Sequence, residues 1–200
     1  MEKLPKEFYL SKNTAKIARN LLGKLIVVPD DRGRKVSGMI VEVEAYLGIA
    51  DRAAHSFGGR RTARNEVMYG EPGRVYVFFV YGMYYQLNVV TGPADHPHAI
   101  LIRGIEPVGG IEIMRERRGA MKDKNLTSGP GKLAIAFGIT REHNGEALRS
   151  GRIWLEEFRK IPKKDVEVGT RIGVDYAGAD AQLPLRFWVK GNAFVSRQPA

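Results

Sequence analysis

Glu42 and Glu44 stand two positions apart in VSGMIVEVEAY, with Tyr46 two further on. Side chains alternate sides along an extended strand. Met39, Val41, Val43 and Ala45 therefore share one face, and Glu42, Glu44 and Tyr46 the other. Two acids on a strand face commonly do no more than meet solvent. The aromatic beside them points to a second use, because a carboxylate against an aromatic wall in a partly closed pocket can be tuned into a general base. Their spacing does not suit metal chelation without further ligands. His96 and His98, flanking Pro97 next to Asp95, bring two imidazoles into one loop, but third and fourth ligands at familiar spacings are missing. His55, in AAHS, reads by itself as a structural histidine. Lys132 follows SGPG at a helix start, where its charge and nearby backbone N–H groups could meet a phosphate. GPGK lacks the spacing, and the Ser or Thr after Lys, of a nucleotide P-loop. No serine-nucleophile motif, dinucleotide fingerprint or zinc-deaminase signature occurs, and neither metal nor cofactor is implied. A hydrolase working with water and acidic groups stays open.

A second chemistry lies in YVFFVYGMYYQLNVV, Tyr76 to Val90. Aromatic and β-branched residues favour strands, so the segment reads as a hairpin bent at Gly82. Tyr81 and Met83 flank that bend, where a loop normally runs over the surface and a large apolar side chain has little to bury against. Arg52, Arg60, Arg61, Arg64 and Arg74 precede the hairpin, and Arg115, Arg117, Arg118, Lys122 and Lys124 form a second cluster. The net charge is +10, which favours polyanionic partners. A solvated basic face is the plain alternative; arginines beside exposed aromatics favour a surface that binds a nucleic-acid backbone.

The elements that must position these groups can be read along the chain. Its 200 residues suit one domain with a substantial core, taken as residues 1–200. The absence of cysteine removes disulfides and thiolate metal sites and is compatible with a reducing interior. The sequence starts without a signal-peptide core and has no stretch near the ~20 apolar residues of a membrane span, so a soluble, intracellular protein is expected. NTAKIARNLLG reads as a short amphipathic helix stopped by Gly23. Lys24 to Pro29 and VSGMIVEVEAY read as paired strands. Residues 47–73 lose all periodicity and form a long irregular segment, a kind often functional. After the aromatic hairpin come the strand Ala99 to Pro107, helical patterns in GGIEIMRERRG and GKLAIAFG, and further strands in RIWLEEF, RIGVDY and LRFWVKGNAFVS. The expected architecture is α+β with a mainly β core: a curled antiparallel sheet, a protruding hairpin and short surrounding helices.

VEVEAYLGIADRAAHSFGGRRTARNEVMY, PGRVYVFFVYGMYYQLNVV, AILIRGIEP, LTSGPGKLAIAFGI and the late RIGV and PLRFWV together resemble the alkyladenine (3-methyladenine) DNA glycosylase family, in order and over almost the whole chain. The resemblance implies a monofunctional base-excision repair enzyme acting on double-stranded DNA, and a monomer is expected. It would flip an alkylated or deaminated purine, such as 3-methyladenine, 7-methylguanine, hypoxanthine or ethenoadenine, and hydrolyse its N-glycosidic bond. Position by position, Glu44 matches the general base that activates water, and Arg103 the arginine beside that water. Asn88 matches the asparagine at the floor of the base pocket, and Tyr46 and His55 match residues against the flipped base. Tyr81 matches the tyrosine that wedges into the duplex, with Met83 beside it. Phe78 stands where family members often carry Tyr, which keeps the stacking face and loses the hydroxyl. Arg60, Arg61, Arg64 and Lys132 are expected on the DNA backbone. Two other classes compete: a non-enzymatic nucleic-acid-binding module built on the same hairpin, and an anion-metabolising enzyme centred on Lys132.

Overall fold

The strand that carries the paired acids is the hub of the sheet. In the computed structural model, which describes residues 2–80, 82–119 and 121–196, β1 (Leu25–Pro29) and β2 (Lys35–Tyr46) form a hairpin across the DDRGR turn. The apolar, β-branched run of β1 suits a strand buried on both faces. The other strands are β3 (Val75–Val80), β4 (Tyr84–Thr91), β5 (His98–Gly109), β6 (Trp154–Glu156), β7 (Val166–Gly169) and β8 (Arg186–Val189). They join one antiparallel sheet in the order β3-β4-β5-β2-β1-β6. β8 pairs with β2 on one side and β7 on the other. The first half of β2 therefore lies between β1 and β5, and its second half, with Glu42 to Glu44, between β8 and β5.

Three helices cover one face. α1 (Thr14–Leu21) starts where the Asn13 side chain accepts the Lys16 N–H at 2.9 Å, as the capping pattern requires. The chain then turns at Gly23, with φ +85°, where a Cβ would lie 2.1 Å from the Arg159 carbonyl oxygen. α2 (Ile111–Arg118) and α3 (Pro130–Phe137) follow, the latter with Pro at its first position. Ile17 and Leu21 of α1, Met114 of α2 and Leu133 and Phe137 of α3 close the main core with Val77, Leu87, Val89, Ile100 and Ile102 of the sheet.

Strict alternation along β2 does not hold. Val36 and Ile40 face the main core, and so do Val43 and Ala45, a change of parity explained by the register. Ile40 pairs with Ile105 and Glu42 with Gly104, leaving Val41 as an extra residue; Val43 then pairs with Ile102, leaving Arg103 extra on β5. Two bulges, one in each strand, compensate each other. Met39 and Val41 are buried outside that core, so the single apolar face expected of Met39, Val41, Val43 and Ala45 is divided. RIGVDY, expected as a strand, is instead a loop leading into 3-10 turns at Asp175–Gln182. β7 lies outside the strand expectations altogether.

Residues 47–73 hold short 3-10 turns at Gly48–Ala50, Phe57–Gly59 and Glu66–Tyr69. Polar side chains stitch them together. Asp51 accepts the N–H groups of Leu47 and Ala53. Buried Asn65 accepts the Thr62 N–H at 2.7 Å and donates to the carbonyls of His55 and Arg60. The segment is irregular yet internally satisfied, as a buried backbone must be.

Candidate active site

The two bulges turn Arg103 toward the acids of β2, re-aiming a side chain as bulges beside functional sites do. Its Nε donates to Glu42 Oε1 at 3.1 Å and its Nη1 to Glu44 Oε2 at 3.3 Å. Both carboxylates are completely buried, and Arg103 is 8% exposed. Neither acid meets solvent, the plain alternative for this strand face: the segment after β8, through Phe194 and Ser196, and the loop at Ile172 cover it. Glu42 is further held by Arg186 Nε at 2.8 Å, the Ser196 N–H at 2.5 Å and the Ser196 hydroxyl at 2.9 Å.

Glu44 has a different set of partners. Tyr46 donates its hydroxyl to Oε2 at 2.9 Å, and the Ile172 N–H donates to Oε1 at 2.7 Å. Burial pushes the Glu44 carboxyl above the ordinary glutamate range, against the opposing pull of Arg103, Ile172 and Tyr46. Burial and the neighbouring Glu44 charge push the Tyr46 phenol well up, so it remains a donor. Tyr46 is itself braced: Arg171 lies over its ring at 4.8 Å. That arginine forms a fully buried ion pair with Asp51 and donates to the carbonyls of Ala45 and Asp180.

In front of these groups opens a cavity of about 320 Å³. Its walls come from the sheet face opposite the main core: Tyr46 of β2, Tyr76 and Phe78 of β3, Asn88 of β4 and Arg103 of β5. His55, Ile172 and Tyr176 come from the covering loops. Glu44 is absent from the walls; its partners Tyr46, Arg103 and Ile172 are present. Phe78 lies edge-on to His55, with ring centroids 4.5 Å apart, and tilted against Tyr76 at 5.1 Å. His55 Nδ1 is 2.9 Å from the Tyr76 hydroxyl. Desolvation and the charges of Arg64 and Arg60 hold His55 down at about 4, so the ring is neutral at pH 7. Asn88 donates to the Tyr76 carbonyl at 3.1 Å, fixing its amide in the cavity floor.

The fold thus gathers Arg103, Tyr46, His55, Phe78 and Asn88 around one space, with Glu44 behind its Tyr46 and Arg103 walls. Met83 stands apart on the hairpin turn and is 63% exposed; Tyr81 lies outside the described residues. Arg60 and Arg64 border a neighbouring chamber that shares His55 with the first. Arg61 turns away to ion pairs with Glu66 and Asp95. Lys132 sits in the first turn of α3, beside Pro130 of the cavity wall. His98, from the HPH loop, is occupied by Thr14, with Nδ1 2.8 Å from its hydroxyl. Sequence reasoning missed Tyr76, Glu42 as the second anchor of Arg103, Ile172 and Ser196. Only Tyr76 had a usable signal, its two-residue spacing from Phe78. The other three meet the site through contacts distant in sequence.

A sequence profile described as "Methylpurine-DNA glycosylase" matches residues 7–193. A protein of Bacillus thuringiensis (strain Al Hakam) named "Putative 3-methyladenine DNA glycosylase" is 46% identical over 208 residues, spanning 97% of this chain and 98% of its own. A protein of the same name from Bacillus anthracis (strain CDC 684 / NRRL 3495) is 46% identical over 205 residues, with the same shares covered.

Proposed function

Because the chain belongs to the methylpurine-DNA glycosylase family, and is thereby a hydrolase of N-glycosyl bonds in DNA, we propose that it flips an alkylated purine nucleotide into the aromatic cavity and releases the base with a water activated by Glu44. The observation that carries this reading is the buried Glu44 carboxylate, held by Tyr46, Arg103 and Ile172 immediately behind a purine-sized, aromatic-walled space. A carboxylate oxygen can accept two hydrogen bonds. Oε1 has one partner, Ile172, among the described residues, and its second position suits a water aimed at C1′ of the sugar. Its negative charge also opposes the positive charge that develops on the deoxyribose as the bond breaks. Arg103, anchored on the other side by Glu42, fixes the direction of the carboxylate and the place of the water.

Flipping costs a few kcal/mol, least for a damaged base. Stacking on an aromatic ring is worth about 1–3 kcal/mol per base, so Phe78 and Tyr46 supply the offset inside the cavity. Met83 and the neighbouring Tyr81 fill the space left in the duplex. Bases alkylated at N3 or N7 already carry positive charge and leave readily. They form the substrate class for a pocket whose histidine is neutral and does not repel them. Arg60, Arg64 and Lys132 contact phosphates without reading sequence.

The test is base release from methylated duplex DNA and from duplexes with single hypoxanthine or ethenoadenine, in EDTA, scored as alkali-labile sites. Glu44→Gln is expected to lower release by roughly 100- to 10,000-fold while duplex binding persists. Equal release by the variant would remove Glu44 from the mechanism. Release by neither protein, with binding retained, would favour a module that only binds.

A further inference from the structure

A second chamber of about 300 Å³ adjoins the base cavity, with His55 and Tyr176 as shared wall. It is nearly as large as the first, and no carboxylate lines it. Arg52, Arg60 and Arg64 line it instead, and among the described residues none of them forms an ion pair, in contrast to Arg61 close by. Two aromatic rings stand open at its borders: Phe57 is 45% and Tyr176 72% exposed. Tyr176 is held in place, because its hydroxyl donates to the Ala53 carbonyl at 3.1 Å. Arg52 is held too, through its backbone N–H, which donates to Asp180 at 2.8 Å. An exposed ring held by its hydroxyl, with a second exposed ring and guanidinium groups without acid partners beside it, matches a nucleotide: a base to stack and a phosphate to neutralise.

We infer that this second chamber is a nucleotide subsite. It takes one nucleotide next to the flipped one, stacking its base on Tyr176 and Phe57 and drawing its phosphate to Arg52 and Arg60. The inference rests on the glycosylase reading, since the first chamber must hold the flipped purine for the second to hold its neighbour. The shared wall makes the two occupants adjacent. It gives Arg52, which does not line the base pocket, a role there, and Tyr176 a second face to use. It also predicts that the enzyme senses the position beside the lesion through the presence of a base there, with little regard to its identity, because every base has a face to stack.

The experiment is a double-mutant cycle on binding. Duplexes carry hypoxanthine, with the nucleotide on the 5′ side, on the 3′ side or opposite the lesion replaced in turn by a base-free tetrahydrofuran residue. Wild type, Tyr176→Ala and Arg52→Ala are compared, after thermal melting shows that each variant is folded. Wild type is expected to lose about 10-fold in affinity at either the 5′ or the 3′ position, and a loss confined to the position opposite the lesion would overturn the subsite. Tyr176→Ala should lose a similar factor on the intact duplex and nothing further at that position. A methylphosphonate linkage at the same step should weaken wild type but not Arg52→Ala. Equal losses at all three positions, or full additivity in both cycles, would overturn the subsite and reduce Arg52 to general attraction. Excision of hypoxanthine or methylated purines from the unmodified duplexes by wild type is scored in parallel. Its absence counts against the glycosylase reading, whereas excision without coupling counts against the subsite alone.

Discussion

Glu44 accepts three hydrogen bonds and still has its carboxyl above the ordinary range, because loss of solvent outweighs the combined pull of its partners. A base must be deprotonated to take a proton from water, so the direction of this shift sets the shape of the rate profile. Base release should fall as pH drops through a midpoint above the ordinary glutamate value of about 4.3. Single-turnover rates across pH 4 to 8 check this, and a limb at or below that value would show the carboxyl to be unperturbed. His55 shifts the other way. Part of its ring opens on the cavity, but the charges of Arg64 and Arg60 add to the desolvation of the rest and hold it at about 4. Its ring signals in NMR should stay those of a neutral imidazole from pH 8 down to pH 6, and titration near the ordinary 6.5 would refute the account of a non-repelling wall.

At the scale of elements, the site depends on the paired bulges of β2 and β5. Gly104 is the residue that lets the strands meet there. A Cβ at that position would stand 2.6 Å from the Phe194 carbonyl oxygen and 3.1 Å from Glu42 Cβ. Gly104→Ala should therefore cost about 1–3 kcal/mol of stability, as overpacking does, and slow base release by displacing Glu42 and, through it, Arg103. Denaturant unfolding and the single-turnover rate test the two effects together; an unaltered variant would mean that the bulge is freely adjustable. The aromatic hairpin was legible in the sequence because turn and strand signals are local: Gly82 sits at φ +65° in the turn, where glycine is the favoured residue. The division of β2 between two faces was not legible, because the extra residue is defined only against its partner strand.

Across the whole molecule, the loops that cover the cavity are joined to each other by the buried Arg171–Asp51 pair and to the sheet by the Arg171 bond to the Ala45 carbonyl. Both side chains are almost fully buried, at 0% and 1% exposure. Removing one partner leaves a charge without solvent or counter-ion. Asp51→Ala should lose about 3–5 kcal/mol of unfolding free energy, measured by urea titration, whereas a loss below 1 kcal/mol would show that the loops repack around Arg171. The excess positive charge belongs to the same scale. Duplex affinity should fall linearly on a log–log plot against salt, with a slope of about −0.9 per neutralised phosphate. Arg60→Ala should make that slope shallower by about one, and Arg61→Ala, already paired with Glu66 and Asp95, should change it less. Equal changes in both variants would contradict the distinction drawn between these neighbours.

The sequence carries the hairpin with its apolar turn, the helix stops, the irregular segment of residues 47–73 and the family's motifs in order, since each is written in neighbouring residues. It also placed Glu44 and Tyr46 on one side of a strand. What lies over that side depends on how distant segments pack. Alternation tells which residues share a face and is silent about the face's cover, here supplied by Ser196, beyond the end of β8, and by Ile172, a residue 128 positions from Glu44. The burial that raises the Glu44 carboxyl, the bulge that aims Arg103, the Tyr76 contact that holds His55 and the arginine-lined chamber beside the base cavity all arise from segments far apart in the chain.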